Sequence, residues 1–190
     1  MEATNKPMLT GLLAIVIPLT SIFLSIALSP WFSWRSNALS DLGHSLRSEV
    51  AEIFNAGLLT GGLLLILYGT LFVRKVYPLT SVLIGIVGYL FQLVGLFDEA
   101  YGFAHLLVSA IFFLSLAIAT LVYCYERRSL YPLILLAIGT VSWLGYFLKI
   151  YRSGISVPEI VSVLGVAFWY FEMCYRVNLK LSAGNRETKS

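Results

Sequence analysis

The stretch Phe103–Cys124, FAHLLVSAIFFLSLAIATLVYC, decides the fold. It contains no Asp, Glu, Lys or Arg, and its apolar residues run on without the alternation of a half-buried strand. At a rise of 1.5 Å per residue, about 20 such residues cover the roughly 30 Å of a bilayer's hydrocarbon core. Five more stretches qualify on the same grounds: Leu9–Ser29, Ile53–Val73, Pro78–Phe97, Leu130–Leu148 and Pro158–Val177. Each is about twice the length that a barrel strand requires, so the helix is the state expected for all of them. The predicted fold is an all-α integral membrane protein. Residues 1–178 form a single six-helix transmembrane domain, and 179–190 form a short polar cytoplasmic tail.

The rest of the chain agrees with that expectation. Only 12% of the residues are charged, about half the usual share for a soluble domain, and the mean hydropathy is +0.85. The formal charge of +3 is too small for a nucleic-acid binder by composition, so the basic residues need a positional explanation. Pro78, Pro132 and Pro158 stand at or near the starts of runs, where a missing N–H costs nothing. Pro18 lies inside the first run and is expected to bend it. That run is too long for a signal-peptide core, and Pro30 sits just after the small residues that resemble a cleavage site, so a retained first helix is expected. Cys124 and Cys174 form no C-x-x-C and read as small apolar residues.

Orientation follows from the loops. Lys6, Arg74, Lys75, Arg127, Arg128, Arg176, Lys180, Arg186 and Lys189 fall on one side. They outnumber Arg35, Arg47, Lys149 and Arg152 on the other. The positive-inside rule therefore places both termini in the cytoplasm of a multi-pass protein of the cell membrane. The G-x-x-x-G of Gly57 and Gly61, with Gly69 beyond it, and Gly85, Gly88 and Gly95 in the third span predict close helix contacts. Trp31, Phe32, Trp34, Tyr123 and Tyr125 stand where interfacial aromatic belts form.

This topology gathers most of the acids and both histidines at the outer face. The longest loop, Pro30–Glu52, contains NALSDLGH at Asn37–His44. Leu39 and Leu42 predict a short amphipathic segment there, lying in the outer interface, with Asp41 and His44 on one face. Glu49 and Glu52 suit the dipole of the second helix, and Glu159 suits the first turn of the sixth. Glu172 has Arg176 as its i+4 neighbour, which predicts an ion pair near the inner interface. The tight loop FDEAYGFAH puts His105 one turn into the fourth span. There it needs a partner, for which Asp98, Glu99 and Asp41 are the candidates. His44, His105, Asp41 and Asp98 also make a possible ligand set for a divalent metal such as zinc. Ser40 beside Asp41 admits a nucleophile with His44 or His105 as base, and equally a helix N-cap. Haem is not expected, because bis-histidine ligands normally lie deeper in their helices.

The S-D-L-G of Ser40–Gly43, followed by IFNAGLL at Ile53–Leu59 and YGFAHLLVSAIFF at Tyr101–Phe113, resembles a prokaryotic membrane family. It is the one catalogued as domain of unknown function 998. The resemblance runs from the first span to about Arg176. In layout that family is similar to six-span proteins of the Frag1, DRAM and Sfk1 group, some of them linked to lipid handling. The resemblance implies a six-span fold and raises interest in Ser40, Asp41, Asn55 and His105. It implies no reaction.

Three functions are compatible with these features. The first is a lipid- or amphiphile-handling protein, hydrolase-like, with a site at the outer face: Ser40, Asp41 and His105 catalytic, Asn55 and Glu99 supporting. The second is a non-catalytic accessory or assembly subunit that partners other membrane subunits or a second copy of itself. The third, a small channel or transporter, is disfavoured because the middles of the spans are nearly free of ionisable groups.

Overall fold

The computed structural model describes the backbone of residues 6–187 and the side chains of residues 6–184. Glu2 and Lys189 lie outside the described residues, as do the side chains of Arg186 and Glu187. Among the described residues six α-helices make up the fold: α1 Lys6–Leu28, α2 Ala51–Leu71, α3 Pro78–Leu96, α4 Phe103–Arg127, α5 Tyr131–Phe147 and α6 Ser156–Glu187. No strand occurs among the described residues. Five of the helices are long and apolar enough to cross a membrane, and α5 is a shorter apolar helix of 17 residues. The α6 helix runs on through residues 179–187, the stretch read from sequence as a polar tail.

Each helix packs on the next in the chain, and α6 returns to α1 to close the bundle. The small residues set the closest approaches, as lipid-embedded helices require. A Cβ at Gly61 would fall 2.8 Å from Pro18 Cγ, so the bulk of α1's proline fits because α2 is bare there. At the next residue of α2, a Cβ on Gly88 of α3 would lie 2.7 Å from the carbonyl oxygen of Gly62, which brings α2 and α3 into backbone contact. By contrast α5 packs chiefly on α6 and more sparsely on α4.

The end of the bundle that carries both termini holds the larger core. Tyr68, Tyr77, Tyr123, Trp169, Tyr170, Met173 and Cys174 are buried there together. Tyr123 stacks on Trp169 with ring centroids 5.2 Å apart, and donates its hydroxyl proton to Glu172 Oε2 at 2.6 Å. Glu172 pairs with Arg176, as the spacing predicts, and its Oε1 also accepts from Arg127 Nε and Nη2 at 2.9 and 2.6 Å. Glu126 reaches from α4 to the start of α3, where it accepts from the N–H groups of Leu79 and Thr80 at 2.9 and 2.7 Å. The first turn of α3 has no helical partner for these donors, so the carboxylate satisfies them and favours the helix dipole.

Candidate functional site

The opposite end is assembled from three loops. The first is the α1–α2 connection, whose Ser40–Gly43 segment forms a single 3-10 turn. Leu39 and Leu42 do point the same way, but into the bundle. Leu42 is fully buried, and both pack with Ile22, Val50, Phe54 and Leu58. The amphipathic segment is therefore docked between helices, because its two leucines find a protein pocket in place of the interface.

Polar contacts pin the turn on every side. Asp41 Oδ2 accepts from Asn37 Nδ2 at 2.8 Å and from the Ala38 N–H at 2.9 Å. Asn55, in the second turn of α2, donates Nδ2–H to the Gly43 carbonyl at 2.8 Å. Gly43 sits so close that an added Cβ would lie 2.5 Å from Asn55 Oδ1. From the other side, Glu159 Oε2 accepts from the Leu39 N–H at 2.6 Å. The loop backbone also bonds to the α5–α6 connection: Gly154 N–H donates to Trp34 O at 2.8 Å, and Ser156 N–H to Asn37 O at 3.1 Å. A side chain at Gly154 would strike the Asn37 carbonyl at 2.6 Å, so only glycine lets the two loops lie together.

The α3–α4 connection brings the imidazole. Asp98 caps a 3-10 turn, Glu99–Tyr101, by accepting from the Ala100 N–H at 2.7 Å. Gly102, at φ +54°, reverses the chain into α4 within one residue, a conformation that a side chain resists. His105 then faces back into the protein and is buried. Its Nδ1 lies 2.7 Å from the Phe97 carbonyl oxygen. A carbonyl only accepts, so Nδ1 carries the proton. Nε2 is left between two groups, Ser109 Oγ at 3.2 Å and Glu99 Oε2 at 3.1 Å. When neutral it accepts from the serine, and when protonated it donates to the carboxylate.

Ser109 is the residue that sequence reasoning missed. Hydroxyls inside these helices commonly bond back to their own backbone, as Ser115 does to Phe112 O at 2.7 Å and Thr120 to Leu116 O at 2.8 Å. Ser109 turns to the imidazole one helical turn before it. The i, i+4 spacing from His105 was the available signal.

Of the three acids considered for His105, Glu99 is the one placed against it. No hydrogen bond among the described residues joins Ser40 to either histidine, and the imidazole's serine is Ser109. The set His44, His105, Asp41 and Asp98 does not gather around a metal position. Among the described residues, no group of three or more His, Cys, Asp and Glu side chains is arranged to hold an ion. The physical reason is that each is engaged elsewhere. Asp41 and Asp98 satisfy local backbone N–H groups, and His44 Nδ1 accepts from the Leu46 N–H at 3.3 Å. The three loops still bring Asp41, Asn55, Glu99, His105 and Glu159 to one end of the bundle. The Ser40–Gly43 turn touches the Glu99–Tyr101 turn, and Glu159 lies within electrostatic reach of both Glu99 and Asp41.

No curated protein and no solved structure matches the chain. A family of proteins of unknown function, DUF998, matches residues 12–176. Because that match takes in all but the two ends, from α1 to the Arg176 that pairs with Glu172, the chain belongs to the DUF998 family.

Proposed function

We propose that this multi-pass membrane protein handles a lipid or related amphiphile at the end bearing His105, by hydrolase-like acid–base chemistry. The observation that carries the reading is the buried imidazole whose Nδ1–H is held by a backbone carbonyl. That bond leaves Nε2 within 3.2 Å of a serine hydroxyl. Such a base–nucleophile distance is the working geometry of serine acyl transfer. In the first step Ser109 Oγ attacks an ester carbonyl, and its proton passes to Nε2. As the ester C–O bond breaks, that proton leaves with the alcohol. Water then hydrolyses the acyl-serine by the same route, returning the proton to Ser109. Glu99 stabilises the imidazolium formed in between, and Asp41 and Asn55 act by positioning the Ser40–Gly43 turn beside it. The excess of Lys and Arg at the other end supports placing this face outside the cell membrane and both termini in the cytoplasm.

The test is lipid turnover by protein reconstituted in vesicles of total membrane lipid. Substituting His105→Gln keeps a polar side chain but removes the base. The loss expected is at least about 100-fold, and Ser109→Ala should match it. Turnover that survives both substitutions sinks the reading.

One observation favours a second role, as an accessory subunit. Asp41, Asp98, Asn55 and Glu159 all serve backbone groups of the chain itself, which is what a rigid scaffold needs. Native mass spectrometry from the source membrane that finds only this chain and lipid counts against it.

A further inference from the structure

Among the described residues, the end of the bundle that carries the termini has more positive charge than its carboxylates use. Arg74 and Lys75 occupy the 3-10 turn between α2 and α3, Arg127 ends α4, and Arg176 and Lys180 stand one turn apart on α6. Their acidic neighbours are Glu126 and Glu172. The first is taken up by the start of α3, accepting from the N–H groups of Leu79 and Thr80 and from the Thr80 hydroxyl. Glu172 accepts from Tyr123, Arg127 and Arg176 together, so one carboxylate answers two guanidinium groups. Arg176 bonds to it through Nε alone, which leaves both Nη groups available. No ion pair among the described residues engages Arg74, Lys75 or Lys180.

These groups meet at Tyr77. Lys180 Nζ stands over its ring, 4.8 Å from the centroid, and Arg74 and Lys75 precede it by three and two residues. Arg127 and Arg176 lie within electrostatic reach of its phenol. The tyrosine is 2% exposed and meets the Tyr123 ring edge-on, with centroids 5.3 Å apart, so packing fixes its position. Its hydroxyl is different. It makes no hydrogen bond among the described residues, and it is not sealed in the core. A fixed O–H without an acceptor, set among cations, is a ready donor to an anionic oxygen.

We infer that Tyr77, Lys180 and Arg176 form a binding site for the phosphate of an anionic phospholipid, with Arg74 and Lys75 adding charge beside it. The chemistry of the surface around the site selects a lipid. Leu79 and Val82 of α3, and Tyr175 and Leu179 of α6, are exposed, so hydrocarbon-facing surface begins next to the cations. A phosphate held at Tyr77 leaves its acyl chains against protein that is already apolar. Basic groups just beyond a membrane span attract anionic lipid over about a Debye length, whereas a zwitterionic lipid gains little from the surplus. This site lies at the end opposite His105 and does not depend on the hydrolytic reading.

The probe is phosphatidylglycerol, titrated into the full chain in detergent and followed by native mass spectrometry. It is expected to bind about tenfold more tightly than phosphatidylcholine with the same acyl chains. Tyr77→Phe removes a hydroxyl that bonds to nothing in the protein and leaves every charge in place. Its thermal stability should therefore match the parent's, while its affinity for phosphatidylglycerol falls about fivefold. Lys180→Gln should weaken binding by a similar factor. Arg35→Gln, which removes a cation from the opposite end, should change nothing. Equal affinity for the two lipids, or undiminished binding by Tyr77→Phe, overturns the site, because the charge then acts only as a diffuse field. Inorganic phosphate, added as competitor, should not displace the lipid. If it does so with the same dependence on Tyr77 and Lys180, free phosphate is the ligand and the lipid assignment falls.

Discussion

At the end of the bundle that carries the termini, Glu126 and Glu172 each bind groups on another helix. One caps α3 from α4, and the other ties α6 to Tyr123 and Arg127 of α4. At the loop end, Asp41 and Asp98 accept from N–H groups within four residues of themselves, and Glu99 shares the imidazole of His105 with a serine. The first pattern uses charge to hold helices together. In the second, local bonds together with the long-range one from the Leu39 N–H to Glu159 hold loops in place, and one imidazole nitrogen stays available for proton transfer. Carboxylates of the same type thus do structural work at one end and leave room for chemistry at the other. The difference lies in what each carboxylate is close enough to satisfy.

This contrast sets an order of effects on stability. Glu172→Leu is expected to cost the most, about 3 kcal/mol, because it strands the Arg127 guanidinium at a mostly buried position. Thermal unfolding in detergent measures it, and adding Arg127→Leu should recover part of the loss. Glu126→Ala comes next, at about 1–2 kcal/mol, since the N–H groups of Leu79 and Thr80 lose their cap. Asn55→Ala is the mildest, at about 1 kcal/mol for the single bond to Gly43 O. It should lower lipid turnover by more than its small effect on stability suggests, since it loosens the turn that faces Glu99. If Asn55→Ala destabilises as much as Glu172→Leu, the two ends do not differ in the way described.

The helices were legible because hydropathy over about 20 residues is a local signal and lipid leaves the backbone few alternatives. Their order around the bundle was not, nor was any bond that spans many residues. Glu159 reads in sequence as an ordinary first-turn acid, and only the fold shows it accepting from Leu39, 120 residues away. Glu126 likewise stands in sequence beside Arg127 and Arg128, and only the fold brings it to the N–H groups of Leu79 and Thr80. His105 was legible as a buried group in need of a partner, and Glu99 was among those named. The metal set rests on composition at one face, and among the described residues no three of its side chains are arranged to hold an ion. Backbone N–H groups nearby had the prior claim on Asp41 and Asp98.

The brevity of α5 bears on the membrane around the protein. Its 17 residues rise only about 25 Å, short of a ~30 Å hydrocarbon core, whereas the 32 residues of α6 rise about 48 Å. Ile134, Ile138, Val141, Leu144 and Phe147 of α5 are exposed, so lipid tails meet this short helix directly. Hydrophobic mismatch then falls on one flank of the bundle, and a thinner bilayer relieves it. It biases the protein toward thinner membranes, at a cost set by how many ångströms the host bilayer must give up.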